Sequence, residues 1–453
     1  MSILKPAFKS WGGVHPAYRK ELSASSPIQP MPLPPLLRVS MAQHLGAPAQ
    51  PTVKKGDTVR KGQRIGEAAG FISAHVHAPT SGTVKAVAEA STASGGMAAA
   101  VDIEPDGEDA WDPALAGRPD WENLSPRELR EAIADAGIAG MGGAGFPTHV
   151  KLSPPPDKPI DTLIVNGAEC EPYLTADDRL MIERAADLWQ GCRILRRILA
   201  AGTVRIAIET NKPDALAAVA EALKGADGDV AVVALPSEYP QGAEKQQIFS
   251  ITGREVPSGG LPMDVGCVVE NVGTVLAAWD AVVNGRPLIE RVTTVTGTPV
   301  RTPRNVLNRL GTPYAALLDF CGGSEREPCK VISGGPMMGL AQHSLDVTTT
   351  KTTSGLTFLA PDEVAEYTNQ PCIGCGRCVD ACPMNLMPSE LSQMLEAEDY
   401  DAADSYDVMD CIECGCCAFQ CPAMRPLVQH MRRGKSHVAL KRRQQQQQKE
   451  KAS

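Results

Sequence analysis

The sequence predicts a multidomain protein that mixes α/β and α+β units, and three observations carry that expectation. Its 453 residues allow about three domains at roughly 100–200 residues each. Short strand-like runs broken by turns fill the first hundred positions, whereas strand and helix patterns alternate from about 125 to 280. Nine of the fourteen cysteines then crowd between Cys372 and Cys421 on a mainly helical background. Hydrophobic residues at 43% and charged ones at 21% describe a globular chain, and a net charge of −9 argues against a general nucleic-acid binder. No stretch approaches the roughly 18 consecutive apolar residues of a spanning helix, and the opening residues lack the apolar core of a secretory signal. A cytosolic chain, with room for a peripheral membrane role, is expected.

Between Val53 and Val87, turn signals at Lys55-Gly56-Asp57 and Thr80-Ser81-Gly82 separate short strands. The pattern resembles the barrel-sandwich fold of lipoyl and biotinyl carriers, and residues 1–110 are assigned to such a domain. The carriers' modified lysine has no counterpart in Glu67-Ala68-Ala69-Gly70-Phe71, so a structural module is expected. Ser125-Pro126-Arg127-Glu128 combines an N-cap, a first-turn proline and a capping-box acid, which starts a helix that should end near Gly137. Buried strands are expected at Thr162 to Val165, Val204 to Glu209 and Val230 to Leu235, with a helix from about Arg179 to Ala200. Residues 120–280 therefore form an α/β domain. From Leu288 to Gly323 two strands, a turn and a helix resemble a small β-grasp ligand-binding module, assigned to 285–340. A cysteine-rich helical domain takes 360–430, and the basic, Gln-rich end, 435–453, reads as disordered.

Cys372, Cys375, Cys378 and Cys382-Pro383 form C-x2-C-x2-C-x3-C-P, and Cys411, Cys414, Cys417 and Cys421-Pro422 repeat it. Three thiolates two residues apart can wrap one face of a 4Fe-4S cubane, while the fourth, one helical turn on, faces the other cluster. One cluster is expected on Cys372, Cys375, Cys378 and Cys421, and a second on Cys411, Cys414, Cys417 and Cys382. Structural zinc fits less well, because its sites pair two C-x2-C hooks instead of triplets followed by C-P. Cys416 falls outside the spacing, as a spare thiol or a substitute ligand. The segment Glu390 to Asp410 holds eight acidic and no basic residues, either a solvated helix face or a docking surface. The basic residues after Cys421 suit an anionic membrane surface or a solvated tail equally well.

Gly140, Gly142 and Gly145 match G-x-G-x-x-G, but a capped helix and not a strand precedes them, which departs from the dinucleotide fingerprint. The longer run Gly140 to Lys151, including Gly143 and Phe146, resembles the flavin-binding loop of the flavoprotein subunit of respiratory complex I. That resemblance implies FMN against the glycine backbone, an aromatic face from Phe146, and a positive charge from Lys151 for the phosphate or reduced ring. Asn166, Glu169 and Glu171 resemble its N-x-D-E-x-E-P strand end, with Ala168 for the acid; Tyr239, Gly242 and Glu244 resemble Y-x-x-G-E-E, with Ala243 for the first glutamate. Asn271 and Thr274 keep two polar positions of V-N-N-V-E-T. The resemblance implies Glu244 near the nicotinamide dinucleotide, and Asn271 and Thr274 near FMN. His75, His77 and His149 are expected to be structural.

Gly12-Gly13-Val14-His15-Pro16, the NGAECEP segment and the SGGPMMG segment from Ser333 to Gly339 extend the match. Together these modules resemble the RnfC family of Rnf (Rsx) ion-translocating electron-transport complexes over nearly the whole chain. The resemblance implies a Rossmann-like flavin/NADH domain and a two-cluster ferredoxin domain in a peripheral subunit on the cytoplasmic face of the bacterial inner membrane. Its expected cofactors are FMN and two 4Fe-4S clusters, with NAD(H) as substrate. Other subunits of the complex, and through them a ferredoxin-type carrier, are the expected partners. A flavin that meets both a two-electron donor and one-electron clusters makes such a chain a two-to-one electron converter. A non-catalytic iron–sulfur relay or docking subunit, and a soluble NADH diaphorase, are the alternatives.

Overall fold

A computed structural model describes residues 3–368 and 370–452. Two small sheets build the N-terminal unit. Leu37–Ser40, Met97–Pro105, Gly82–Ser91 and Thr58–Val59 form one, and Gln50–Pro51, Arg64–Glu67 and Val76–His77 the other. Val39, Met41, Val59, Ile65, Val76, Val84, Val101 and Ile103 fill the space between them. The turn where a carrier would present its lysine is led by Phe71, 78% exposed.

The capped helix forms as its sequence dictates. Ser125 accepts from the Glu128 backbone, Glu128 returns the bond, and Pro126–Asp135 follows. Four parallel strands then make the central sheet, in the spatial order Asp229–Leu235, Thr203–Glu209, Thr162–Gly167, Cys267–Asn271. The largest core of the chain surrounds it, from Leu129 and Ile133 through Leu163, Ile206 and Val275. The single helix expected near Arg179 to Ala200 is two, Ala176–Glu183 and Ala185–Leu199. Arg184 leaves helical geometry at the break, and its guanidinium bridges Asp187 and Asp280.

The β-grasp hairpin, Glu290–Thr296 with Arg304–Arg309, is followed by the helix Tyr314–Phe320. Its sheet reaches beyond 285–340 at both ends of the chain. Ile28–Pro30 joins parallel to Arg304–Arg309, and Gly355–Leu359 joins parallel to Glu290–Thr296. A bare two-stranded ribbon leaves two unpaired edges, and these distant segments cover them.

The C-terminal end departs from expectation. Residues 435–452, read as disordered, continue one helix, Leu427–Ala452; Ser453 lies outside the described residues. Gln, Lys, Arg and Glu are good helix formers, and the first half of this helix is anchored. Leu427, Met431 and Val438 are buried, and His437 stacks on Tyr400 at 4.4 Å. Its cations also answer the acidic segment. Arg425, just before the helix, pairs with Glu396, Arg433 with Glu398, Lys441 with Asp401, and Arg442 with Asp404 at 2.7 Å. The acidic run and the basic tail are thus partners of each other.

Candidate functional site

The segments singled out in the sequence converge at the carboxyl ends of the central strands, the place where open parallel sheets bind ligands. Asn166 lies at the end of one strand, Asn271 ends the next, and the loops 140–147 and 239–243 close over them. Asn166 donates to the Gly242 carbonyl at 2.8 Å and accepts from the Ala168 backbone and Gln247. Asn271 caps the helix Val272–Asn284 through the Gly273 N–H and donates to Asp177 at 2.7 Å. Thr274 accepts from the Met141 N–H at 3.0 Å, which fixes the base of the glycine loop.

Gly140 donates to the Phe146 carbonyl at 2.9 Å and closes the loop, with Phe146 half-buried beside it. At Gly142 a Cβ would come within 2.9 Å of the Asn271 Cβ; at Gly143 it would meet nothing. Gly142 is therefore required for the loop to approach its own domain, and Gly143 faces open space. Among the described residues, the backbone N–H groups of Gly142, Gly143, Ala144 and Gly145 have no protein acceptor. Such a row of free donors suits an anionic group or a ring carbonyl, so the loop fits a flavin or its phosphate.

Lys151 is bonded to the Val269 carbonyl and to Glu244 at 2.8 Å. Its charge is thus shared with an acid before any phosphate arrives. Burial works against the Lys151 cation, but Glu270 and Glu244 outweigh it and raise its pKa. Glu270 is a residue that the motifs do not point to. It lies next to the end of the Cys267–Asn271 strand, is buried with one carboxyl oxygen unpartnered, and desolvation pushes its pKa to about 7 against the pull of Lys151. An acid closing an otherwise apolar strand was the signal available.

Glu169 and Glu171 hold backbone. The Glu169 carboxylate accepts from the Asp177 and Asp178 N–H groups and caps the helix Ala176–Glu183. Glu171 accepts from Met337 and Met338 at 3.1 and 2.7 Å, which seats the SGGPMMG segment; burial lifts its pKa to about 7. Tyr239 faces the opposite way. Its hydroxyl donates to the Cys414 carbonyl at 2.6 Å, joining the nucleotide side to the cysteine domain. His75, His77 and His149 all have lowered pKa values through burial.

The cysteines rim two cavities. One, enclosing about 410 Å³ with its mouth, is lined by Cys382, Cys411, Cys414 and Cys417; the other, about 380 Å³, by Cys372, Cys375, Cys378 and Cys421. Each set takes its fourth thiol from the other motif. Among the described residues no three His, Cys, Asp or Glu side chains converge on one point, as ligands of a single metal ion would. Thiols spread around a hollow fit a cubane better than a mononuclear zinc.

The two motifs are also conformational repeats. Gly376 and Gly415 both have positive φ, as do Asn385 and Met424, each three residues past the fourth cysteine. Gly374 (φ +67°) is matched by Glu413 (φ +56°), a side chain in a region that favours glycine. Arg432 and Lys435 hold the Glu413 carboxylate at 3.0 and 2.7 Å and offset that strain. N–H groups of Gly374, Glu413 and Leu386 point at the sulfurs of Cys372, Cys411 and Cys382.

Family models match in the same order. An RnfC barrel sandwich hybrid domain covers residues 8–108, a Nuo51 FMN-binding domain 133–280, an SLBB domain 292–341 and a 4Fe-4S dicluster domain 365–422. The C-subunit of the proton-translocating ferredoxin:NAD(+) oxidoreductase complex of Clostridium ljungdahlii is 48% identical over 94% of this chain and 93% of its own. The chain belongs to the RnfC family. Other RnfC relatives are the C-subunit of the Na(+)-translocating complex of Acetobacterium woodii, 44% identical over 98% and 99% of the two chains, and that of the Rhodobacter capsulatus ion-translocating complex, 44% over 96% and 84%. RnfC chains are subunits of a larger complex, and this one carries FMN-binding and 4Fe-4S domains. No described helix is long and apolar enough to cross a membrane.

Proposed function

We propose that this chain is the peripheral subunit through which an ion-translocating NADH:ferredoxin oxidoreductase exchanges electrons with NAD(H). Bound FMN would supply the two-electron exchange with nicotinamide and the one-electron exchange with the clusters. The Gly142 to Gly145 donors hold the flavin's polar edge, Phe146 offers an aromatic face, and Glu244 lies toward the dinucleotide. Lys151 holds the Glu244 carboxylate in place at 2.8 Å.

The observation that carries this reading is the Tyr239 to Cys414 hydrogen bond. It sets the loop bearing Gly242 and Glu244 directly on the loop bearing the Cys411 to Cys417 thiols. Cys372 and Cys375 are exposed, and they belong to the outer set. Cys382, Cys411, Cys414 and Cys417 would hold the cluster on the nucleotide side and Cys372, Cys375, Cys378 and Cys421 the outer one, each supplying one-electron chemistry toward a ferredoxin-type carrier reached through partner subunits on the cytoplasmic face of the membrane. The iron–sulfur relay without catalysis and the free diaphorase lack support from the flavin-type loop and from the relatives, respectively.

The test is flavin, iron and acid-labile sulfide per purified chain, together with the visible spectrum during NADH addition. One FMN, eight irons and NADH-dependent bleaching are expected of the two-cubane chain. Clusters without flavin would leave a relay only. Glu244→Ala should alter NADH oxidation kinetics while flavin content holds; unchanged kinetics would remove Glu244 from the nucleotide site.

A further inference from the structure

The peptide that joins Met141 to Gly142 is engaged on one side only. Its carbonyl accepts from the Arg291 guanidinium at 2.7 Å, while its N–H, that of Gly142, is the first of the free donors of the glycine loop. The peptide is trans and planar, with carbonyl and N–H pointing in opposite directions. Arg291 and whatever the Gly142 N–H holds therefore face each other across one peptide plane. The preceding peptide is fixed as well, because the Met141 N–H donates to Thr274.

Arg291 belongs to another module. It lies on the β-grasp strand Glu290–Thr296, is 7% exposed, and divides its guanidinium between the carbonyls of Met141 and Lys351. Lys351 continues the clamp beneath the loop, donating to the Gly137 carbonyl at 2.7 Å and the His75 carbonyl at 2.6 Å. Among the described residues no carboxylate pairs directly with Arg291. Burial lowers its pKa to about 10 against the pull of Asp177 and Glu169, which leaves a full cation at neutral pH. A cation buried on neutral carbonyls is costly, and negative charge arriving nearby offsets that cost.

We propose that Arg291 is a positioning residue for the flavin: it polarises the Met141–Gly142 peptide, makes the Gly142 N–H a stronger donor, and so favours the electron-rich form of the flavin held there. The proposal rests on the reading of the glycine loop as the FMN site. A carbonyl bonded to a cation draws electron density toward its oxygen and leaves the N–H of the same peptide more positive. Hydride transfer breaks a C–H bond of the nicotinamide and forms an N–H bond on the flavin. Two electrons and one proton move together, so the flavin gains one negative charge and the nicotinamide one positive charge. A preorganised donor backed by a cation stabilises that negative charge and raises the flavin potential. The β-grasp module would then act on the redox site through a single peptide group.

The experiment uses the full-length chain with FMN and clusters, in wild-type, Arg291→Gln and Arg291→Lys forms, read by flavin and iron per chain and by redox titration of the flavin absorbance. Glutamine keeps a neutral N–H for the Met141 carbonyl and removes the charge, whereas lysine keeps the charge and gives up the fork. Both variants should keep the iron of two cubanes. The flavin midpoint should move negative with glutamine, and lysine should return most of the shift. A variant that holds flavin too weakly to titrate is decided by flavin content: flavin kept with lysine and lost with glutamine supports the proposal, and flavin lost from both overturns it. An unmoved potential in the glutamine variant, or a shift as large with lysine as with glutamine, also overturns it. So does loss of iron in both variants, which would make Arg291 a support of the fold alone. A wild-type chain that binds no flavin would instead overturn the flavin reading beneath it.

Discussion

At the residue scale, Gly142 and Glu270 are where chemistry and packing conflict most. A valine at Gly142 would drive into Asn271, which caps the Val272–Asn284 helix, and would displace the loop with its free donors. Gly142→Val should therefore lose flavin while both clusters remain, measured as flavin released on denaturation against iron per chain. Flavin retained in full would sink the loop assignment. Glu270 tests the electrostatics. A carboxyl raised by desolvation to about 7 is easily kept neutral in the fold, so its ionisation opposes folding. That penalty is absent below the unfolded pKa near 4.3 and grows as pH rises toward and past 7, reaching about 3 kcal/mol. Glu270→Gln should unfold a few degrees higher than wild type at pH 8 and at the same temperature at pH 4, read by thermal melts. An equal gain at both values would assign the effect to packing. Glu270 is hidden in the sequence because its neighbours in space, Lys151 and Glu244, are distant in the chain. The Ser125 capping box is plain because all its partners lie within four residues.

At the element scale, the same contrast explains what the sequence makes legible. The cysteine triplets announce their turns locally, and the second motif shows how far local rules bend. Glu413 takes a glycine-like conformation because two cations on the C-terminal helix hold it there. Composition alone makes that helix look disordered, because its acidic partners lie some forty positions earlier. The break at Arg184 is likewise invisible, since Asp280 supplies half of its reason. Most pairs along the helix are exposed, so each contributes roughly 0–1 kcal/mol, and its grip comes from Met431 and Val438. Arg442→Ala should lower the unfolding free energy, read from urea titration of cluster absorbance, by less than about 0.5 kcal/mol, whereas Met431→Ala should cost about 2–5 kcal/mol. A reversed ranking would show that charge, and not burial, fastens this element.

At the scale of the whole molecule, the two halves of the relay meet where three distant stretches of chain cross. Gly13 donates to the Ala381 carbonyl, Val14 pairs with Tyr239, and Gln246 donates to the Pro383 carbonyl. The order of modules is legible from their separate motifs; this junction is not, because no single stretch carries it. The crossed thiols make a global prediction. Cys421→Ala should remove the cluster rimmed by Cys372, Cys375 and Cys378, leaving about four irons of the two-cubane complement on Cys382, Cys411, Cys414 and Cys417. Site-resolved spectroscopy that finds the opposite cluster missing would uncross the ligands.

Crossing has a consequence for how the protein comes to be made. Domains generally fold as units, from the N-terminus, as they leave the ribosome. The barrel sandwich and the central sheet contain all their own strands well before residue 372 is translated. The outer cavity, however, gathers three thiols and then waits for Cys421, and the helix that fastens it comes later still. Iron–sulfur insertion is therefore a closing act of biogenesis, performed on a body whose flavin loop is already folded. A ribosome that stalls between the two motifs would release a chain with a finished scaffold and no complete seat for either cluster.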